Sequence, residues 1–274
     1  YFKEKDIKIN NIKIENQNIF FNASEENKQS IIDTFTDENS DINPYYPRFK
    51  SHQLIIEDTG LNFKLSFSKQ GLIVLKTSSQ DQAIEIVRRR IDEVGTNEPN
   101  ILKRGNNRIL VELPGLDDPM RVKSLLGKTA NLTFRFVTNN ENESFGVEKL
   151  KFEDGTDEAI VSKRIIISGD NLLDAQPKMD TQTNQTIVSF SLDRVGAKRF
   201  GKATSNGIGK QLAIVLDGKI LSAPVVRETI AGGSGQISGG FTFQSATDLA
   251  LLLRSGALPA PLNIIEERTV GPDL

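Results

Sequence analysis

Between residues 61 and 136 the apolar side chains change their spacing repeatedly, and those changes narrow the folds open to the chain more than any other feature. Leu61–Phe67 alternates as a strand does. Leu72–Lys76, after Ser68-Lys69-Gln70-Gly71, reads as the second arm of a hairpin. The period then lengthens. Ile84, Val87, Ile91 and Val94 recur at helical spacing, Ser79 and Gln82 stand three apart as a capping-box pair, and Gly95 sits where a C-terminal cap belongs. Asn107–Leu113 returns to alternation, with Ile109, Val111 and Leu113 on one face and Arg108 and Glu112 on the other. Pro114-Gly115 ends it. Asp118 and Pro119 open a short helix carrying Val122, Leu125 and Leu126 and closed by Gly127, and Leu132, Phe134 and Phe136 alternate as a last strand. Strand, helix, two strands, helix, strand is the split βαβ order of a ferredoxin-like α+β fold.

The flanks are less regular. Before residue 65 the chain is polar, with β-like runs at Lys8–Ile14 and Gln17–Asn22. A helix is expected from Ser24, as its cap, to Phe35, and 36–53 reads as loop. Asn139 to Ser168 is again polar. Thr186–Leu192 alternates, Asp193 to about Ser205 reads as a helix, and Gln211–Leu216 with Lys219–Val226 predicts a hairpin whose Asp217-Gly218 suits a type I′ turn. Ala231–Gly235 reads as a loop. Ser245 and Asp248 look like a capping box for a helix over Ala246–Arg254, stopped by Gly256. Leu262–Val270 is strand-like, before Gly271-Pro272.

A chain of 274 residues, 37% hydrophobic and 26% charged, can bury a core and is not expected to be disordered. Its net charge of -2 gives no basic footprint for nucleic acid. With no cysteine, disulfides, thiolate metal sites and cysteine nucleophiles are excluded. No run reaches the ~18–20 apolar residues of a membrane helix; the best, Ala250 to Leu262, is broken by Arg254, Pro259 and Pro261. Tyr1-Phe2-Lys3-Glu4-Lys5 lacks the apolar region of a signal peptide.

Motifs for chemistry fail their templates. Gly233-Ser-Gly235-Gln-Ile-Ser-Gly239 misses the dinucleotide fingerprint by one residue. Gly232-Gly-Ser234-Gly235-Gln236 lacks the last glycine of a nucleophile elbow. Gly209-Lys210 has Thr204 where a P-loop needs glycine and Gln211 where it needs Ser or Thr. Glycines for turns and close packing are the expectation. His52, the only histidine, is expected at the surface and cannot form a multi-histidine metal site. Asp217 is read as a turn residue, Arg88-Arg89-Arg90 as a solvated helix face, and Leu249, Leu252 and Leu253 as core. No catalytic, cofactor-binding or metal-ligating residue is assigned.

Three segments, in this order, carry a resemblance. They are Ile84–Gly115, including Arg88-Arg-Arg-Ile-Asp-Glu-Val-Gly95 and Arg108-Ile-Leu-Val-Glu-Leu-Pro-Gly115; Ala213–Pro224 with Gly235–Gly239; and Asp248-Leu-Ala-Leu-Leu-Leu-Arg-Ser-Gly-Ala-Leu-Pro259 followed by Glu266–Pro272. Together they resemble the large periplasmic domain of the SecD family over about residues 84–274, while the first 80 match only in rough character. The resemblance implies a soluble piece lying between the first and second transmembrane helices of a protein in the bacterial inner membrane. It implies a ferredoxin-like base near the membrane (1–138, with 256–274 returning to it) and an inserted α+β head (139–255), as in the related RND transporters. It also implies SecF, the SecYEG channel and an unfolded preprotein as partners, and export drawn by the proton gradient. The family's glycine-rich segment after the first membrane helix is not in this chain, and the proton-carrying groups belong to membrane helices.

The expected role is therefore binding and movement, without catalysis and without a cofactor. The client-binding residues are not assigned. Candidate hinges are Gly232, Gly233, Gly256, Pro259 and Pro261, since hinges lie at element ends. Two rivals stand beside this reading: a passive scaffold for SecF and the channel, and a carboxylate-dependent periplasmic hydrolase.

Overall fold

The computed structural model describes residues 1–2, 4–96, 98–138, 146–155 and 157–270. The expected domain boundary at residue 139, Asn97 of the Thr96–Pro99 motif and Gly271-Pro272 lie outside the described residues. The chain divides into two compact units, residues 1–81 with 105–108 and residues 82–104 with 109–274.

In the first unit β1 (Ile9–Glu15) and β2 (Asn18–Ala23) form a hairpin, followed by helix α1 (Glu25–Thr36). Then come β3 (Tyr45–Tyr46), β4 (Ser51–His52), β5 (Leu54–Thr59) and β6 (Asn62–Phe67). The antiparallel sheet runs β1-β2-β6-β5. Its apolar face meets Ile31 and Phe35 of α1, and Phe21 stacks on Phe63 with ring centroids 5.2 Å apart. The sequence places a loop at 36–53, but β3 pairs with β4 around a 3-10 turn at Pro47–Phe49. Asn43 organises the stretch: fully buried, it donates to the carbonyls of Phe35 (2.7 Å) and Leu54 (3.0 Å) and accepts from the Leu54 amide (2.7 Å). Its polar atoms are satisfied, so the burial is tolerated. Ser24 precedes α1 as expected, yet its side chain makes no capping bond.

Helix α2 (Lys69–Val94) corrects two expectations. Residues 72–76 are helical, because β6 is an inner strand with β2 and β5 already on its two sides and offers no edge to a further arm. The cap is Ser68, whose hydroxyl accepts from the Gly71 amide at 2.8 Å, so Ser79 and Gln82 are mid-helix. Close backbone packing fixes that first turn: a Cβ on Gly71 would lie 2.2 Å from the Gln53 carbonyl oxygen. Gln80 is buried and donates to the carbonyls of Gly105 and Arg108.

The second unit begins with the C-terminal part of α2, ended by Gly95 at φ +82°. It continues with β7 (Asn100–Arg104), β8 (Arg108–Glu112), α3 (Pro119–Gly127) and β9 (Leu132–Phe136). Asp118 caps α3 by accepting from the Arg121 amide, with Pro119 in its first turn, as the sequence predicts. Next are β10 (Val147–Lys151), β11 (Glu158–Ser162), β12 (Ile167–Ser168), β13 (Leu172–Met179), β14 (Thr186–Leu192) and α4 (Arg194–Asn206). Last are β15 (Leu212–Leu216), β16 (Lys219–Ser222), β17 (Ser234–Phe241) and α5 (Phe243–Ser255). The hairpin β15–β16 turns through Asp217 (φ +49°) and Gly218 (φ +79°), the two positive values a type I′ turn requires.

Two antiparallel sheets, β12-β9-β15-β16 and β13-β14-β17, enclose the largest core, in which the rings of Phe134, Phe190 and Phe200 meet. Helix α5 starts earlier than the sequence suggests: Thr242 caps it by accepting from the Ser245 amide, and Ser245 lies inside the first turn. Leu249, Leu252 and Leu253 are buried, as predicted. Leu249 and Leu253 enter the large core, while Leu251 and Leu252 enter a smaller one with Leu125, Ala130 and Val94. A helix apolar on nearly every side has two neighbours to satisfy.

The class is mixed α and β, with five α-helices and several small sheets among the described residues. Along the chain β6, α2, β7, β8, α3 and β9 follow the predicted order. Their strands are spread over three sheets, with β7 and β8 paired to each other in a two-stranded one. Residues 262–270 form no strand; Leu262 packs on the Ile84–Ile91 core and Glu267 pairs with Lys123 at 2.6 Å. Side-chain contacts, not a ladder, hold this segment. No described helix is long and apolar enough to cross a membrane.

Candidate interaction surface and the Arg90 junction

An open groove of about 610 Å³ lies at the end of β9, lined by Phe136, Val137, Thr138, Ser162, Gly209, Lys210, Gln211 and Val225. Local chemistry explains its shape. Gly207 ends α4, and a Cβ there would lie 2.3 Å from the Phe136 ring, so the ring rests directly on glycine backbone. The Lys210 ammonium stands 6.0 Å from the Phe136 centroid, near the limit for a cation–π contact. Val225 is 49% exposed, and Ile208, next in the chain to Gly209, is 56% exposed. Backbone ties Val226 N–H to Lys210 O (2.9 Å) and Gly209 N–H to Val226 O (2.8 Å) keep the two walls together. The result is a pre-formed apolar and aromatic floor with one cation, suited to side chains of an extended polypeptide.

A second feature is wholly polar. Arg90 departs from the solvated face expected for Arg88-Arg89-Arg90: Arg88 and Arg89 are exposed, but Arg90 is fully buried. Its Nη1 donates to the carbonyls of Leu125 (2.7 Å) and Lys128 (2.5 Å), and its Nη2 to those of Thr129 (3.3 Å) and Gly256 (3.2 Å). Helix period decides which arginine turns inward, since Arg90 follows Val87 by three and Ile86 by four on the buried face. Burial draws its pKa down to about 10, partly opposed by the charge of Asp217. The group therefore stays charged at neutral pH. Because the folded value lies below the free one, its burial costs stability there, and the carbonyl cage offsets that cost.

Asp217 completes the junction. Its carboxylate accepts from the Thr129 hydroxyl and from the amides of Ala130 (3.0 Å) and Asn131 (2.8 Å). The turn expected at Asp217 is present, and its side chain has this second task. Two ion pairs flank the centre. Arg121 of α3 reaches Asp248 of α5 through Nε (3.0 Å) and Nη2 (2.7 Å), and Arg254 of α5 grips both oxygens of Glu93. Arg254 also donates to the Ala175 carbonyl at 2.6 Å.

The predicted hinge residues do not gather at one place. Gly233, buried at φ +67°, packs on Ala197, and Gly232 beside it is exposed. Gly256 ends α5 at φ +91° with its carbonyl on Arg90, and Pro259 and Pro261 are exposed beyond it. His52 is half-buried, its ring 4.7 Å from that of Tyr45. The glycines tested against dinucleotide and elbow motifs lead into β17, not a helix. Among the described residues no cluster of His, Cys, Asp or Glu has metal-site geometry. Two described carboxyls depart clearly from their ordinary range, both downward: Glu158 through Lys149, and Asp180 through the Gln182 amide.

Two family models match the chain. The N-terminal part of the P1 domain of protein translocase subunit SecDF covers residues 80–139, and the SecDF P1 head subdomain covers 147–260. A solved SecDF structure, described as that of a membrane component that enhances protein export, is 33% identical with a TM-score of 0.60. The similarity covers 71% of this chain and 94% of that one. The chain belongs to the SecD family. SecD of Rickettsia bellii is 47% identical over 229 residues, which is 81% of this chain and 44% of the relative. SecD of Acetobacter pasteurianus is 48% identical over 199 residues, covering 70% of this chain and 38% of the relative. SecDF in a super-membrane-facing form is 34% identical with a TM-score of 0.60, over 69% of this chain and 28% of that one. The chain thus spans less than half the length of these SecD relatives. The groove, α5 and the β15–β16 hairpin fall mainly within the head match, and Arg90 and α3 within the N-terminal P1 match.

Proposed function

We propose that this chain is the periplasmic, polypeptide-gripping part of a SecD-type export subunit of the bacterial inner membrane. In this reading its head, residues 139–255, takes hold of an unfolded preprotein leaving the SecYEG channel. It moves against a ferredoxin-like base of residues 1–138 and 256–274, beside SecF, and membrane helices outside this chain convert the proton gradient into that motion. Gly232, Gly233, Gly256, Pro259 and Pro261 serve as its joints. The observation that carries the reading is the groove that Ser162, Gly209, Lys210, Gln211 and Val225 of the head form against Phe136, Val137 and Thr138 at the end of the 1–138 segment, within a SecDF P1 architecture. Its backbone walls and apolar rim suit a client recognised by main chain and bulk, not by one sequence.

The test is a titration of the chain with a fluorescently labelled, permanently unfolded polypeptide. Saturable binding that weakens about tenfold in Val225→Asp and Phe136→Ala supports the grip, at about 1.4 kcal/mol per tenfold. Binding that is absent, or indifferent to both changes, overturns it. The passive scaffold for SecF and the channel is favoured by one observation, the ties of α5 to α2 and α3. It predicts intact assembly with no client binding. A carboxylate-dependent hydrolase would instead need paired carboxyls raised by burial in a deep pocket.

A further inference from the structure

The strands on either side of the Phe136 groove run as a pair and then part. Phe136 lies opposite Leu212, and the Val137 N–H donates to the Gln211 carbonyl at 3.0 Å. One residue later the ladder splits. The Thr138 N–H turns to the Ile160 carbonyl (2.9 Å), while the Lys210 carbonyl accepts from the Val226 N–H (2.9 Å). Each strand has a backbone neighbour on its outer side, and these ties hold the notch between them open. A notch made by two diverging strands receives an extended segment, whose side chains reach the Phe136 floor.

The charge of this notch is one-sided. Its lining holds one cation, Lys210, and no carboxylate. Among the described residues the Lys210 ammonium makes no ion pair, and its neighbour is the Phe136 ring at 6.0 Å. Arg135, beside Phe136 in the chain, is already paired with Glu148, and the exposed Lys163 follows Ser162. Arg227 and Glu228, beyond Val226, bring one charge of each sign. The cleft of about 290 Å³ beside α5 differs, for its lining holds Lys128 together with Glu153 and Asp248. A cation without an ionic partner beside an aromatic floor is complementary to a carboxylate carried next to an apolar side chain.

We propose that the notch selects polypeptide segments in which Asp or Glu stands beside an aromatic or large apolar residue. Phe136 takes the apolar side chain and Lys210 the carboxylate. The inference deepens the gripping reading above and rests on it. The preference runs against the overall charge of the protein: at a net charge of -2 the chain as a whole favours basic segments, so a preference for acidic ones comes from the notch.

The chain has no tryptophan, so a peptide carrying one reports its own binding by fluorescence without background. Three short unstructured peptides, identical except that the tryptophan is flanked by Asp, Asn or Lys, are titrated against the chain at low salt. The Asp peptide is expected to bind about threefold tighter than the Asn peptide and about tenfold tighter than the Lys peptide, the scale of a solvent-exposed charge contact. Strong salt should shrink both differences. Lys210→Gln should bring the three affinities together, and Lys210→Glu should reverse their order. Lys210 is exposed, and circular dichroism checks that both variants are folded. Lys219→Glu makes the same change of charge at the opposite end of the sheet, where Leu216 pairs with Leu132 and Lys219, and should leave the order of the parent. Equal affinities in the parent, an acidic preference that survives Lys210→Glu, or one lost equally in Lys219→Glu overturns the selectivity and leaves the grip. No saturable binding of any of the three peptides overturns the grip and the selectivity with it.

Discussion

The carboxylate of Asp217 and the guanidinium of Arg90 hold one loop by opposite poles of its peptide groups, amides on one side and carbonyls on the other. Neither residue needs to touch the other for the pair to act together, since polarised peptide groups lie between them.

Asp217→Ala removes the acceptor for two amides and one hydroxyl. Asp217 is exposed, so water takes over part of the work, and the expected loss is about 1–2 kcal/mol. Asp217→Asn, which keeps one acceptor oxygen and the turn preference, should lose about half as much. Urea midpoints at neutral pH check both; equal losses would show that the charged carboxylate, which both changes remove, carries the whole effect, and no loss in Asp217→Asn would show that the turn alone matters.

Arg121 and Asp248 form a forked pair that is part-buried on both sides. A double-mutant cycle of Arg121→Gln and Asp248→Asn should give a coupling of about 0.5–1 kcal/mol. It should shrink in strong salt, because solvent still reaches both groups. A coupling of zero at low salt would mark the contact as incidental.

Gly71 and Gly95 lie near the two ends of α2 and should respond differently to alanine. At Gly71 the added Cβ meets the Gln53 carbonyl, which is backbone and cannot swing aside. A loss of about 2–3 kcal/mol is expected. At Gly95 nothing lies within 4 Å and only the positive φ is strained, so about 1 kcal/mol is expected. Thermal melts of the two variants decide the order.

Leu252→Ala opens a cavity between α5 and α3 and should cost about 3 kcal/mol. Ile264→Ala, 57% exposed, should stay within about 0.5 kcal/mol. Chemical unfolding of both measures the contrast.

Where local pattern and tertiary environment agree, residues announced their structure. Asp118-Pro119, Asp193 and Asp217-Gly218 each stand where their backbone preferences put them. Leu72–Lys76 misled because its β-branched run suits a strand, and only the pairing of β6 on both sides closes that route. Ser79 and Ser245 misled differently: each has a plausible cap spacing, but Ser68 and Thr242 lie upstream and take the amides first. Arg90 was readable in principle, since it shares the helical face of Ile86 and Val87. What hid it is that a charge on an apolar stripe normally marks the stripe's edge, and four carbonyls distant in sequence are needed to hold it inside. The groove was not legible at all, because Phe136, Ser162, Gly209 and Val225 meet only when the sheets form.

Helix α5 gives Leu249 and Leu253 to one core and Leu251 and Leu252 to another. The consequence is thermodynamic: neither core can dissolve while the helix survives, and the helix cannot fray without exposing both. Amides in the phenylalanine-rich sheets and in α3 should therefore exchange their hydrogens through one shared opening event, as a single cooperative block rather than two neighbours melting in turn.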